Sequence, residues 1–162
     1  MSAPVRGVDP GAAVERYVTV MEGLRADNLE TLDSVFVPEA RFVDPFNEVC
    51  GIVAIRSVFA HGFRQCPEMR FAVSAHAVDG PYALLRWRMT CHESDAGPVI
   101  EGMSELTLSA DGRVAEHVDF WDPASQLYER VPLLGWLMRR IRRRLAAPQE
   151  RSDTLTFEST ID

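Results

Sequence analysis

From Ala12 the apolar positions Val14, Tyr17, Val18, Met21 and Leu24 recur every three or four residues, the period of an amphipathic helix. Asn28 reads as the N-cap of a second, short helix that buries Leu29, Leu32 and Phe36 and is stopped by Pro38. Residues 40–44 read as a short strand closed by Pro45. Gly51 opens a third helix through Ile52, Ile55, Val58, Phe59 and Phe63, and Pro67 ends it. The period then changes to two. Met69, Phe71, Val73, Ala75 and Ala77 alternate with Arg70, Ser74 and His76, which is strand behaviour. Turn signals at Asp79-Gly80-Pro81, at residues 95–98 and at Asp111-Gly112 divide the rest into strands Tyr82–His92, Val99–Leu108 and Val114–Trp121. Helices followed by strands joined through turns predict an α+β domain, with the helices against one face of an antiparallel meander.

A helical pattern returns after Asp122-Pro123. Over Pro132–Leu145, Leu134, Leu137, Met138, Ile141 and Leu145 form an apolar stripe opposite Arg139, Arg140, Arg142, Arg143 and Arg144. Residues 1–10, with two prolines, read as a loose arm. The polar tail from Pro148 reads as disordered. The domain proper is therefore expected over residues 11–131, with the basic helix at 132–147 as an appendage.

Charge and composition narrow the chemistry. The 162 residues carry 17 basic side chains against 24 acidic ones, for a net charge of −7, and every basic residue is arginine. Without a lysine there is no Schiff-base enzyme and no phosphate-binding Walker lysine. The acidic balance argues against a nucleic-acid partner. Cys50, Cys66 and Cys91 are odd in number and widely spaced, so neither a disulfide framework nor a zinc site is indicated. The four histidines lack metal-ligand spacing, and no metal is expected. No apolar run approaches the roughly 18 residues of a membrane span, and no signal pattern opens the chain, so a cytoplasmic protein is expected.

The arginine-rich helix has two readings. Five arginines opposite an apolar stripe suit an anionic membrane surface. The favoured alternative packs the stripe over the domain or a partner subunit. Without that helix, 12 arginines face 24 acidic residues, and such a body of −12 would attract its own basic helix.

Strand parity nominates candidate residues. On the last strand His117, Asp119 and Trp121 share one face, and Val118 and Phe120 the other. If the first face lines a cavity, His117 and Asp119 are a candidate acid/base pair; otherwise they face solvent or a partner. Asp44 stands between apolar Phe42, Val43 and Phe46, where burial would make it a better base near neutral pH. An aspartate before proline also serves as a turn cap. Trp87 alternates away from Arg86 and Arg88, which read as a solvated or dimer surface.

The opening segments Glu15-Arg16-Tyr17-Val18, Asp27-Asn28-Leu29-Glu30 and Phe42-Val43-Asp44-Pro45 resemble a bacterial ketosteroid isomerase. The closing run His117-Val118-Asp119-Phe120-Trp121-Asp122 resembles the last strand of SnoaL-like cyclases and of limonene-epoxide hydrolase. All belong to the nuclear transport factor 2-like superfamily. The resemblance spans residues 12–130 and implies a cone-shaped α+β fold, with N-terminal helices packed on a curved, mainly antiparallel sheet. It implies an oxyanion-stabilising role for Tyr17 and a general-base role for Asp44. The isomerases' second oxyanion donor, a protonated aspartic acid, falls on Ser104 here. Asp119 matches the water-activating aspartate of the epoxide hydrolase. Fold alone does not fix the reaction.

The combined expectation is a homodimeric enzyme with an apolar pocket lined by Phe42, Trp87 and Trp121, acting without a cofactor on a small hydrophobic molecule. Asp44 or Asp119 would remove a proton, with His117 assisting, and Tyr17 and Ser104 would hold the developing enolate oxygen. Isomerase or cyclase chemistry leads, and epoxide hydrolysis follows. The rival is a non-catalytic module of the same fold that binds a ligand or a partner.

Overall fold

The computed structural model describes residues 8–91, 99–128 and 132–146. Helix α1, Pro10–Gly23, starts where Asp9 accepts from the amides of Gly11 and Ala12, both at 3.3 Å, with Pro10 in the first turn. It buries Ala13, Val14, Tyr17 and Met21. A 3-10 turn, Leu29–Ser34, follows in place of the expected short α-helix. Asn28 makes no side-chain cap on it. Its amide reaches back instead, accepting from the Arg25 amide and donating to the Gly23 carbonyl, so it closes off α1.

Strand β1 runs Phe36–Val43 and contains Pro38. The proline expected to end a helix thus sits in a strand, in the stretch between Phe36 and Arg41 where the pairing with β6 loses register. An irregular stretch tolerates a residue without an N–H. Strand β2, Glu48–Cys50, was not apparent in the hydrophobic pattern because it is three residues long and half exposed. Helix α2, Ile52–Gln65, follows Gly51, whose φ of 91° suits glycine. It buries Ile55, Phe59 and Phe63. The remaining strands are β3 Arg70–Asp79, β4 Tyr82–Thr90, β5 Val99–Leu108 and β6 Val114–Phe120. Short helix α3, Pro123–Gln126, and helix α4, Pro132–Leu145, are the last elements among the described residues. Of the arm expected over residues 1–10, Pro10 already belongs to α1 and residues 1–7 lie outside the described residues, as do the turn at 95–98 and the tail from 148.

The six strands form one sheet in the order β2-β1-β6-β5-β4-β3. All neighbours are antiparallel except β1 and β6, which run parallel. Helix α1 packs on β3, and α2 packs on β1 and the 3-10 turn. One sheet face is thereby covered. Phe36, Phe42, Leu85, Leu106 and Val114 pack there with Leu24, Leu32 and Ile55 into a single core. The opposite face leaves Tyr82, Leu84, Met103 and Phe120 exposed.

Cys66, the C-cap of α2, is disulfide-bonded to Cys91, one residue beyond β4, with Cα atoms 5.3 Å apart. This corrects the reading that the cysteines indicate no disulfide. They stand 25 positions apart, which gave no spacing signal, and only the return of β4 beside the end of α2 brings them together. Cys50 is free and exposed. Among the described residues no helix is long and apolar enough to cross a membrane.

Candidate functional site

The register of the sheet decides which polar residues meet. Phe42 lies opposite His117, His117 opposite Leu106, and Asp119 opposite Ser104. Trp87 lies opposite Gly102, diagonal to Ser104. All these residues belong to the helix-covered face, and α1 lowers Tyr17 onto the same place.

A five-residue hydrogen-bond chain results. Tyr17 Oη is 2.7 Å from His117 Nδ1, and His117 Nε2 is 2.6 Å from Asp119 Oδ1. Ser104 Oγ is 2.5 Å from the same Oδ1, and Trp87 Nε1 is 2.7 Å from Ser104 Oγ. Chemistry fixes the directions. Indole N–H can only donate, so Ser104 accepts from Trp87 and sends its own proton to Asp119. A carboxylate accepts, so His117 donates from Nε2, and in the neutral ring Nδ1 then accepts from the Tyr17 hydroxyl. Burial, with the Asp119 charge adding to it, holds the Tyr17 pKa well above its ordinary value, so the phenol keeps the proton it donates.

The surroundings are apolar on the histidine side and open on the aspartate side. The His117 ring is flanked by Phe42 at 4.8 Å between centroids, Tyr17 at 6.0 Å and Phe36 at 6.2 Å. The His117 side chain is 4% exposed and that of Asp119 15%. Both bonds to Asp119 land on Oδ1, and among the described residues none is made to Oδ2. The chain therefore ends in one accessible carboxylate oxygen whose twin is anchored by two donors.

Four of the five residues expected to act chemically, Tyr17, Ser104, His117 and Asp119, are thus brought together. Asp44 is not joined to them. Its Oδ1 accepts from the amides of Phe46 and Asn47, both at 2.7 Å, and its carboxylate also takes the Asn47 side-chain amide. Its position serves the turn between β1 and β2. The hydroxyls of Tyr17 and Ser104 are committed to His117 and Asp119, rather than aimed outward at an oxyanion. Trp87, expected only as a wall, is a donor in the chain. Trp121 lies outside it and meets Phe46 edge-on at 5.4 Å between centroids, and Tyr128 meets the same Phe46 ring at 6.4 Å.

Gly102 was overlooked. A Cβ there would stand 2.5 Å from Trp87 Cζ2 and 3.0 Å from the Phe120 carbonyl oxygen, so only glycine lets the indole lie across β5 and reach Ser104. An isolated glycine inside a strand is the signal that could have found it. Among the described residues no group of three or more His, Cys, Asp or Glu side chains is disposed to hold a metal.

The fold and this sheet face define a SnoaL-like protein. Residues 14–117 match the SnoaL-like domain family, and the chain belongs to it. Solved structures of similar fold include a protein from Agrobacterium tumefaciens classed as an isomerase of the SnoaL-like family. It is 20% identical, with a TM-score of 0.58 over 68% of this chain and 95% of that one. A protein from Jannaschia classed as a SnoaL-like polyketide cyclase is 19% identical, with a TM-score of 0.57 over 91% and 99%. TerC, co-crystallised with polyporic acid, is 19% identical, with a TM-score of 0.58 over 72% and 95%. At these identities the likeness is one of fold. No curated protein matches the chain by sequence.

Proposed function

We propose that this protein is an isomerase- or cyclase-type enzyme that moves a proton on a small hydrophobic substrate without a cofactor, with Asp119 as the base. The observation that carries this reading is the doubly anchored Asp119 carboxylate. Oδ1 accepts from His117 and Ser104, while Oδ2 takes no bond among the described residues. The substrate's acidic C–H gives its proton to Oδ2, its electron pair moves into the adjacent carbonyl, and the carboxyl group, in exchange with solvent, delivers a proton to a second carbon. Tyr17 and Trp87 do not touch the substrate in this scheme. Tyr17 fixes the His117 tautomer, and Trp87 turns the Ser104 hydroxyl toward Asp119. A positioned base of this kind contributes about 10²–10⁴-fold.

The neighbours classed as an isomerase and a polyketide cyclase support the reaction class, and the one crystallised with polyporic acid supports a small organic substrate. The aromatic group Phe46, Trp121 and Tyr128 is the wall we assign to that substrate. A homodimer through the exposed Tyr82, Leu84, Met103 and Phe120 completes the proposal. Screening hydrophobic ketones and polyketide-like compounds by solvent deuterium incorporation tests it. Exchange by the native protein that Asp119→Asn abolishes and Asp44→Asn keeps is the expected result. Exchange that survives Asp119→Asn removes the assignment.

A ligand-carrying module is the second reading. It is favoured by the complete internal pairing of His117, since both ring nitrogens are satisfied without a ligand. It predicts ligand binding that Asp119→Asn leaves intact, with no exchange at all.

A further inference from the structure

Gln126 ends α3 and takes hold of β5 twice. Its Oε1 accepts from the Glu101 amide at 2.6 Å, and its Nε2 donates to the Glu101 carbonyl at 2.9 Å. The register between β5 and β6 ends at Met103 with Phe120, and two steps further it would set Glu101 against Asp122. The chain leaves the sheet at that point. Asp122 caps α3 by accepting from the Ala124 amide at 2.9 Å, and Pro123 opens the helix. The Glu101 N–H and C=O are thereby deprived of the partner that an antiparallel ladder supplies. A carboxamide carries an acceptor on one arm and a donor on the other, and Gln126 fills the missing place.

What stands beside this clasp gives it meaning. One step past the end of the register, Gly102 has Trp121 for a neighbour on one side, and it has Trp87 on the other. The turn after β1 runs alongside Asp119 and Trp121, because Val43 pairs with Val118. That turn carries Phe46, whose ring meets both Trp121 and Tyr128. Trp121 follows Asp119 by two residues and shares its face, so the three rings stand next to the Asp119 carboxylate. Tyr128 comes two residues after Gln126, and its place depends on where α3 is held.

Burial does not fix α3. None of its four residues is buried, and Leu127 just beyond it is 38% exposed. Met138, Ile141 and Leu145 from the stripe of α4 share a groove of about 380 Å³ with Asp122 and Ala124 at the start of α3. Apart from its covalent link to β6, α3 is tied to the sheet by the Gln126 clasp, and Tyr128 adds its contact with Phe46. Both bonds of the clasp are exposed. Water can replace an exposed bond at small net cost, so such a tie opens and closes readily.

We propose that Gln126 is a positioning residue: its clasp on Glu101 holds α3 and Tyr128 across the mouth beside Asp119, and its release admits the substrate. The catalytic meaning of this role rests on Asp119 as the base, whereas its test needs no turnover. Hydrogen exchange followed by NMR should find the Glu101 amide protected in the native protein. Gln126→Met, of similar length but without polar atoms, should speed that exchange at least about tenfold. Access to Asp119 is read by coupling glycine ethyl ester with a water-soluble carbodiimide and mapping the labelled peptides. Asp119 should couple at least about fivefold faster in Gln126→Met than in the native protein. The exposed Asp27 should couple equally in both. Gln126→Glu keeps the acceptor for the amide but loses the donor to the carbonyl. It should fall between the two, and it carries the test should Gln126→Met not fold. Tyr128→Ala should expose Asp119 while the Glu101 amide stays protected. Native-rate Glu101 exchange in the Gln126 variants overturns the proposal, as does Asp119 labelling that neither they nor Tyr128→Ala raises. Native labelling of Asp119 as fast as that of Asp27 overturns it too. Deuterium incorporation that survives Asp119→Asn would remove Asp119 as the base and leave all these rates as they are, so the two failures are distinguishable.

Discussion

His117 and Asp119 stand two residues apart on β6 and are joined by a 2.6 Å bond from Nε2 to Oδ1. Neighbours at this spacing on a strand project from the same face, about 7 Å apart at the backbone, and these two close the gap by leaning together. Their other partners come from α1 and β5, so three elements must be in register for the pair to be held.

Removing the Tyr17 hydroxyl isolates the far end of this chain. Tyr17→Phe leaves His117 Nδ1 buried without its donor, which costs about 1–3 kcal/mol. Urea unfolding of the variant should give a correspondingly lower midpoint with an unchanged slope. An unaltered midpoint would mean that Tyr17 does not bond His117 in solution.

The same tyrosine makes stability depend on alkaline pH. Its folded pKa is raised above the unfolded value of about 10. The native state therefore holds the proton longer than the unfolded chain does. Its contribution is complete below pH 10 and is lost as pH climbs from there through the folded pKa. Unfolding free energy should fall between about pH 10 and pH 12 more steeply for the native protein than for Tyr17→Phe.

Gly102 carries a steric prediction. Alanine there would displace the Trp87 ring and break its bond to Ser104, because the added methyl meets ring carbons and the Phe120 carbonyl. Overpacking of this kind costs about 1–3 kcal/mol. Gly102→Ala should lower the melting temperature and alter Trp87 fluorescence. With Trp87→Phe as the background the loss of melting temperature should shrink to what the Phe120 carbonyl contact alone causes.

Asp44 and Asp119 should separate by readout. Asp44→Ala removes the acceptor for the Phe46 and Asn47 amides and should cost about 1 kcal/mol of stability, with proton exchange on a discovered substrate retained. Asp119→Asn should instead lower that exchange by about 10²-fold or more. Equal losses from both would move the base to Asp44.

Thiol chemistry supplies the last check. In the unreduced native protein a thiol reagent should modify Cys50 alone, and peptide mapping should recover Cys66 linked to Cys91. Closing a loop of this size contributes about 3 kcal/mol, so reduction should lower the unfolding midpoint. Three reactive thiols without denaturant would contradict the pairing.

Much of the architecture was legible because local pattern determines local structure. The three- and four-residue period around Tyr17 and around Phe59 gave α1 and α2, and the turn signals at 95–98 and at Asp111-Gly112 gave β5 within its observed bounds. Parity on β6 put His117 and Asp119 on one face, which is geometry internal to a single strand. Pro38 misled because proline stops helices in general, yet an irregular strand accepts one. Asn28 misled because a side-chain amide can close the helix before it as readily as cap the one after.

What the sequence by itself determined, then, was the set of elements, the faces of each strand and a short group of candidate polar residues. Only the tertiary structure decided which of those residues meet. Register set Ser104 against Asp119, the approach of α1 set Tyr17 against His117, and the turn after β1 engaged Asp44. It also paired Cys66 with Cys91. Hydrophobic periodicity is written in neighbouring residues, while a hydrogen bond between positions a hundred residues apart depends on how whole elements pack.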